Sequence, residues 1–318
     1  MAENKTSEQP KEDQAEEEKV AQDSTEQDAE EATEPTEPTE NTEQKDAPTE
    51  EMEFAMPIGA TSISPEMLMD DNIEIGNCYA CGESFEEFYY LGQKYGFDLI
   101  GCLKCGSVVI DPYPTPEVLE KYYTDYKGTT DYEAKKDKKI SRCHKRIKKL
   151  MSRTEGKRFL DVGCNHGFAV SAADELGLEA FGIDVDPSAI EYAQENFGKD
   201  KFKTISVEDY AKAGNKADII YTSEVIEHLH DPESFVKALK EILSPDGIIY
   251  LTTPDGNHFM IPNNFPSWKA VIPPEHIHYF SRGGLKFMFE RLGLKVDKFF
   301  FNFKPGIRMI ASHASDKK

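Results

Sequence analysis

Between residues 156 and 313, short apolar runs alternate with segments whose apolar residues recur every three or four positions. Phe159, Leu160 and Val162 open the series; Ala180 to Ile183, Phe202 to Ser206, Ala217 to Thr222 and Ile248 to Thr252 continue it. Runs such as Ala217 to Thr222 are too short for helices and read as buried parallel strands. The segments between them read as helices whose starts are written locally. Asp186-Pro187 opens one with Ile190, Ala193 and Phe197 on its face, and Asp231-Pro232 opens another with Phe235, Ala238, Leu239 and Ile242. An aspartate side chain accepts from a free N-terminal amide, and proline fits the first turn. Ser281 caps a further helix bearing Leu285, Met288, Phe289 and Leu292, and Gly293 stops it. Two strands follow, Leu294 to Phe303 and Ile307 to His313, turned at Pro305-Gly306. This alternation predicts an α/β fold with a doubly wound parallel sheet and a terminal antiparallel hairpin.

Upstream the pattern changes. Residues 54–75 are irregular and read as a linker; Thr115-Pro116 opens a helix with Val118, Leu119, Tyr122 and Tyr123 on one face. A second helix near Tyr132 to Ser152 keeps Ile140, Cys143, Ile147, Leu150 and Met151 at helical spacing. Its other face carries Lys135, Lys136, Lys138, Lys139, Arg142, Lys145, Arg146, Lys148 and Lys149, a solvated face or one that greets phosphate. Residues 253–280 have little periodicity and many Pro, Asn, His and aromatic residues, the pattern of a long functional loop or lid.

Charge separates the first segment from the rest. Of the chain's net −22, residues 1–53 carry −16, leaving −6 for everything after them. So little apolar surface cannot offset ordering entropy, and this tail is expected to be disordered. No charged-then-apolar leader pattern opens the chain, and no apolar run reaches the ~18 residues of a membrane helix. A soluble, cytoplasmic protein without a membrane partner is the expectation.

The cysteines add chemistry. Cys78-x2-Cys81 and Cys102-x2-Cys105 are two knuckles twenty residues apart, each ending in glycine (Gly82, Gly106). That spacing reads as a four-thiolate structural zinc site in a small zinc-ribbon-like module with a hairpin between the knuckles. Cys143 and Cys164 are left as reduced thiols.

Asp161-x-Gly163-x-Asn165-x-Gly167 follows the first strand of the alternating region, and Asp184 ends the next one. Ligands of open α/β sheets lie beyond the carboxyl ends of the strands, and an acid about 20 residues past the glycine turn is placed for ribose hydroxyls. A nucleoside-type cofactor is implied. With GIDVDPSAIEYA and SEVIEHLHDPESFVKALKEILSPDG in view, residues 156–313 resemble the class I S-adenosylmethionine-dependent methyltransferases, with their Rossmann-like sheet. Asn165 replaces the family's middle glycine, and asparagine tolerates the left-handed backbone region. The resemblance implies that Asp161, Gly163, Asn165 and Gly167 shape the amino-acid end of the cofactor pocket and that Asp184 holds the ribose. It also implies Val207 and Glu208 along the adenine, with Ser223 at the adjacent strand end. The domain plan is then 1–53 tail, 54–75 linker, 76–112 zinc module, 113–155 helical connection and 156–318 methyltransferase domain.

Two stretches carry candidate chemistry. Glu224-Val-Ile-Glu227-His228 is similar to the E-x-x-E-H stretch of ubiquinone-pathway O-methyltransferases, which implies a divalent ion held by an i, i+3, i+4 trio on one helix face; the residues read alone favour a capped helix start with an interior hydrogen-bonded histidine over a metal site. Glu275-His276-x-x-Tyr279-x-Ser281 resembles the E-H-x-x-Y-x-S stretch of nucleotide-sugar C-methyltransferases, which also carry a four-cysteine module ahead of the core. Displacement at a sulfonium needs alignment, and a base where the acceptor loses a proton. His276 beside Glu275, with Tyr279, fits that work. The expected acceptor is a small hydroxylated metabolite, a sugar or a nucleotide-linked sugar, methylated at C or O. An RNA methyltransferase and a non-catalytic binding protein are the alternatives; the acidic body and the lack of an N/D-P-P-Y/F stretch speak against nucleic acid. Oligomeric state is not encoded in any of these patterns.

Overall fold

The computed structural model describes residues 61–63, 76–83, 88–115, 119 and 136–314. Contacts divide the chain into Met1–Glu50 and Glu51–Lys318, and every described element belongs to the second unit. The acidic tail lies outside the described residues, as does most of the helix expected from Thr115-Pro116.

Four antiparallel strands come first: β1 (Thr61–Ile63), β2 (Phe88–Lys94), β3 (Phe97–Cys102) and β4 (Val108–Asp111), each paired with the next. The segment expected as a linker thus contributes a strand, since Thr61 to Ile63 pair with Tyr90 to Phe88. Gly101 permits the tight β2–β3 packing, because a Cβ there would meet the Tyr89 ring at 2.2 Å.

Helix α1 (Lys136–Leu150) leads into β5 (Arg158–Val162), α2 (Phe168–Glu175), β6 (Glu179–Asp184), α3 (Pro187–Phe197), β7 (Phe202–Thr204) and α4 (Val207–Lys212). Then come β8 (Ala217–Ser223), α5 (Pro232–Ile242) and β9 (Leu243–Thr253). After a long loop containing β10 (His278–Tyr279), the chain ends in α6 (Arg282–Arg291), β11 (Leu294–Phe299) and β12 (Ile307–His313). The helix starts are the ones written in the sequence: Asp186, Asp231 and Ser281 each accept an amide proton within the first turn.

The large sheet runs β11-β12-β9-β8-β5-β6-β7, and β12 lies antiparallel to its neighbours β9 and β11. Successive residues serve opposite faces. Leu160, Ile220, Ile249 and Leu251 pack with the α5 and α6 side chains Phe235, Leu239, Leu285 and Met288. Phe159, Ile219, Tyr221, Ile248 and Tyr250 pack with α1 and α2 through Ile147, Leu150, Ala169 and Ala172. Each aliphatic side chain buried this way contributes about 1.5–3 kcal/mol, which is why these runs are apolar without interruption.

The last strand of the small sheet is β10, paired antiparallel with β4 (His278 opposite Val109, Tyr279 opposite Val108). The loop expected as a lid is therefore packed in place. Phe265, Trp268, Val271, Ile277 and Tyr279 share a core with Leu99, Val108, Ile110 and Leu119. Ser281 completes the joint: its N–H donates to Ser107 Oγ at 3.0 Å, its hydroxyl donates to the Cys105 carbonyl, and it caps α6 through Gly284 N–H.

At the opposite end of the large sheet, Arg158 donates to both oxygens of Asp218 at 3.1 and 2.6 Å. The guanidinium holds the Asp218 carboxyl down at about 2, against 3.8 ordinarily. Asp218→Ala is expected to cost about 1–2 kcal/mol in urea unfolding at neutral pH, the lower part of the range because Arg158 is half exposed. A depressed carboxylate stabilises above its unfolded value and loses that contribution as pH falls through its folded one. The difference between wild type and variant should therefore shrink in acid unfolding below the ordinary carboxylate range.

Candidate active site

The carboxyl ends of β5, β6 and β8 carry the Asp161–Gly167 turn, Asp184 and the Ser223–His228 stretch singled out in the sequence; Val207 and Glu208 follow β7, and Glu275, His276 and Tyr279 lie in the loop with β10. Beyond β5 the chain turns through Gly163 (φ 74°), Asn165 (φ 46°) and Gly167 (φ 78°), all left-handed. A Cβ at Gly163 would lie 2.4 Å from Val225 Cγ2, and one at Gly167 would lie 2.6 Å from the Phe202 ring. Glycine is required at both positions by conformation and by space. Asn165 sustains its own left-handed turn, since its Oδ1 accepts from His166 N–H at 2.8 Å.

Asp184, at the end of β6, reaches across to this turn. Its Oδ2 accepts from Asn165 N–H at 2.8 Å and its Oδ1 from Asp186 N–H at 3.0 Å. Burial raises its pKa above the usual carboxylate value although these amides pull the other way. Asp161, at the base of the turn, is buried and pushed well above the carboxylate range by desolvation and then by the Asp184 charge. Two desolvated acids beside a glycine turn are chemically suited to a cationic ligand carrying hydroxyls. Val207 is buried in the first turn of α4 and Glu208 follows it half-buried, one strand further along. Ser223 ends β8 with its hydroxyl 2.7 Å from that of Thr252 on β9.

The neighbouring strand end holds a second group. Glu224 is exposed at φ 57° and accepts from Thr252 Oγ1 at 2.8 Å. Ile226–His228 form a single 3-10 turn, so the expected i, i+3, i+4 helix face does not exist. Glu227 is fully buried: its Oε2 accepts from Thr253 Oγ1 at 2.9 Å, and its Oε1 is buried with no hydrogen-bond partner. Burial, and then the Glu224 charge, push its pKa well up. His228 donates from Nδ1 to the Glu275 carbonyl at 2.8 Å, and its ring stands 4.7 Å from that of His276 at 80°.

His276 thus meets His228 and Glu227, a juxtaposition no local pattern announces. Its Nδ1 donates to the Ala270 carbonyl at 2.8 Å rather than to the Glu275 carboxylate. Burial, then His228, lowers its pKa to about 3, and burial lowers that of His228 to about 4. Tyr279 is wholly buried, its hydroxyl donating to the His276 carbonyl at 3.2 Å while burial raises its pKa. It braces the loop.

The sequence reading also missed Arg146, placed with the solvated lysines of α1. It turns inward, donating to Tyr221 OH at 3.2 Å. The signal was present, because Arg146 falls at the spacing of Cys143, Ile147 and Leu150, the buried stripe of that helix. No described helix is long and apolar enough to cross a membrane.

The four cysteines converge. Cys78 Sγ lies 3.7 Å from Cys105 Sγ, Cys81 Sγ lies 3.8 Å from Cys102 Sγ, and all four lie within 4.8 Å of one another. Sulfurs around a tetrahedral zinc at about 2.3 Å stand about 3.8 Å apart, so the cluster fits that ion with little movement. Gly82 N–H and Gly106 N–H return to the Cys78 and Cys102 carbonyls at 2.7 and 2.8 Å, closing both knuckles.

Asp184→Ala should weaken binding of S-adenosylhomocysteine by roughly 10–150-fold in calorimetry, the equivalent of about 1.5–3 kcal/mol, with the circular dichroism spectrum retained. An ionised Asp184 is the better acceptor for hydroxyls, so wild-type affinity should fall as pH drops into the raised carboxylate range. In Asp184→Asn that dependence should flatten.

Comparison with known proteins places the sequence in a family. A family model described as a methyltransferase domain matches residues 132–298, just over half of the 318 residues. A ubiquinone biosynthesis O-methyltransferase from Cereibacter sphaeroides is 31% identical over 107 residues, 32% of this chain and 43% of that protein. One from Brucella anthropi is 25% identical over 159 residues, 44% of this chain and 64% of that one. The chain thus spans about half the length of the curated relatives it matches. Among solved structures, a SAM-dependent methyltransferase from Archaeoglobus fulgidus aligns with 59% of this chain and 99% of its own, at 18% identity and a TM-score of 0.47. Magnesium protoporphyrin IX methyltransferase from Synechocystis, with bound SAH, aligns with 61% of this chain and 92% of its own, at 13% identity and a TM-score of 0.45. On the family match, the glycine turn and the sheet order, this chain belongs to the methyltransferase domain family.

Proposed function

We propose that the protein transfers a methyl group from S-adenosylmethionine to an oxygen of a small hydroxylated metabolite. The observation that carries this reading is the contact between two sites: Gly163 of the Asp161–Gly167 turn packs against Val225, two residues before buried Glu227. A donor held by the turn would present its methyl toward the Glu227, His228 and His276 side chains. O-methylation is favoured over C-methylation because the matched relatives are named as O-methyltransferases. A sugar acceptor rests on the E-H-x-x-Y-x-S resemblance alone and is the second choice. The basic α1 face is the feature that argues for RNA; of its cations, Arg146 turns from that face into the body.

S-adenosylmethionine, when bound, supplies an electrophilic methyl on a sulfonium. The chain's own part is alignment. Asp184 would fix the ribose, and the left-handed Gly163 and Gly167 would let backbone amides come close to the ligand. A cationic ligand would favour the ionised form of Asp161, which burial and the Asp184 charge disfavour. Orientation of this kind supplies much of the acceleration of a displacement reaction. Glu275, His276 and Tyr279 are assigned to shaping the acceptor pocket, with His276 contacting the acceptor and Tyr279 holding the loop. Zinc on Cys78, Cys81, Cys102 and Cys105 would fix the module against which that loop is paired.

The test is a transfer assay with methyl-labelled S-adenosylmethionine and two acceptor panels, phenols with adjacent hydroxyls and nucleotide sugars. Labelled methyl ether from the first panel, lost in Asp184→Ala, is the expected result. Donor binding without turnover on either panel, alongside salt-sensitive RNA retention, would shift the reading to RNA. Cys102→Ser should also lose one zinc per chain by native mass spectrometry and lower the thermal midpoint, because metal binding contributes folding free energy in so small a module.

A further inference from the structure

We infer that Glu227, His228 and His276 form a second metal centre, a two-histidine, one-carboxylate site for a divalent transition-metal ion, with its third ligand delivered by the loop paired to the cysteine module. One donor atom from each residue lies within 4.8 Å of the other two. Glu227 Oε1 is 4.0 Å from His228 Nε2. Donors sharing one ion at about 2.1 Å stand about 3–4 Å apart, so side-chain shifts of about 1 Å close the set.

Three further observations point to an ion. Glu227 Oε1 is completely buried and lacks a hydrogen-bond partner, a condition that buried polar atoms rarely sustain. Both rings donate Nδ1–H to a carbonyl, His228 to Glu275 and His276 to Ala270, each at 2.8 Å. That is the outer-shell arrangement of metal-binding histidines, and it makes Nε2 the lone-pair nitrogen of each ring. The ligand from the loop is also fixed at the backbone. Ile277 N–H donates to the Glu227 carbonyl at 2.8 Å, and the Ile277 carbonyl accepts from Ile110 N–H on β4 at 3.1 Å.

The donor set differs from the one read in the sequence. Glu224 is exposed and bound to Thr252, so His276 takes the place that the E-x-x-E-H stretch gave to Glu224. Two imidazoles and one carboxylate favour zinc, cobalt, iron or nickel; magnesium and calcium prefer all-oxygen sets. His228 is partly exposed, which leaves coordination positions open toward solvent and toward an oxygen ligand. The centre does not require that the protein be a methyltransferase, and its test uses no methyl donor.

Purified full-length protein, its cysteine-bound metal left in place, is titrated with Co2+ and followed by visible absorption and native mass spectrometry. The expected result is one additional cobalt per chain, with weak d–d bands and no intense thiolate charge-transfer band, and no equivalent uptake of Mg2+. His276→Ala and Glu227→Gln should each weaken cobalt binding by at least ~10-fold while retaining the circular dichroism spectrum and the cysteine-bound metal. Glu224→Gln, which removes a neighbouring charge and no ligand, should weaken it far less than either. Absence of cobalt uptake by the folded wild type would overturn the proposal. So would loss of cobalt in Glu224→Gln with retention in His276→Ala, which would return the site to the sequence trio. Glu227→Gln with a raised thermal midpoint and unaltered metal content would identify a proton shared with Glu224 in place of an ion.

Discussion

The two-residue pairing of His278–Tyr279 with Val109–Val108 is the constraint on which the site depends. A loop of nearly thirty residues has backbone amides to satisfy and no regular pattern of its own. Here it satisfies them by adding a strand to the cysteine module, by donating from Ile277 to Glu227 and by returning Gly256 N–H to the Phe280 carbonyl at 2.8 Å. His276 is where it is because its neighbours on both sides are held. The cysteine knuckles then act at a distance: they fix β4, β4 fixes the loop, and the loop presents an imidazole to the end of β8.

Much of the large sheet was legible in the sequence because its signals are local. Asp186-Pro187, Asp231-Pro232 and Ser281 each specify a helix start within four residues, and runs such as Ile219 to Thr222 fit only a strand buried on both faces. The glycine turn was legible for a related reason, since left-handed positions demand Gly or Asn wherever they occur. The cysteine spacing encoded a cluster before any coordinate did. What escaped were contacts between distant segments. Periodicity is silent on whether an aperiodic loop is free or docked, so residues 253–280 read as a lid although Phe265, Trp268 and Tyr279 fill a core.

The same limit applies to individual side chains. Glu275 and His276 are neighbours in sequence, and adjacency suggested a pair; the backbone instead turns the ring toward Ala270 and His228. The E-x-x-E-H stretch suggested one helix face, but a single 3-10 turn follows Glu224 and only Glu227 and His228 point the same way. Short-range spacing fixes geometry where a regular element continues through it. At strand ends, where ligand sites lie, the element stops, and that inference stops with it.

The β4–β10 pairing joins residues about 170 positions apart, and this has a consequence for the growing chain. While the protein is being synthesised, β4 emerges early and stays an open strand edge until residue 279 has left the ribosome. Open edges template wrong pairings, and contacts of such high sequence separation form slowly. The module must therefore wait, already shaped, through the synthesis of most of the large sheet. A chain interrupted before the loop would hold the glycine turn and Asp184 yet expose the edge that should position His276, so an incomplete product resembles a sticky intermediate more than a smaller enzyme.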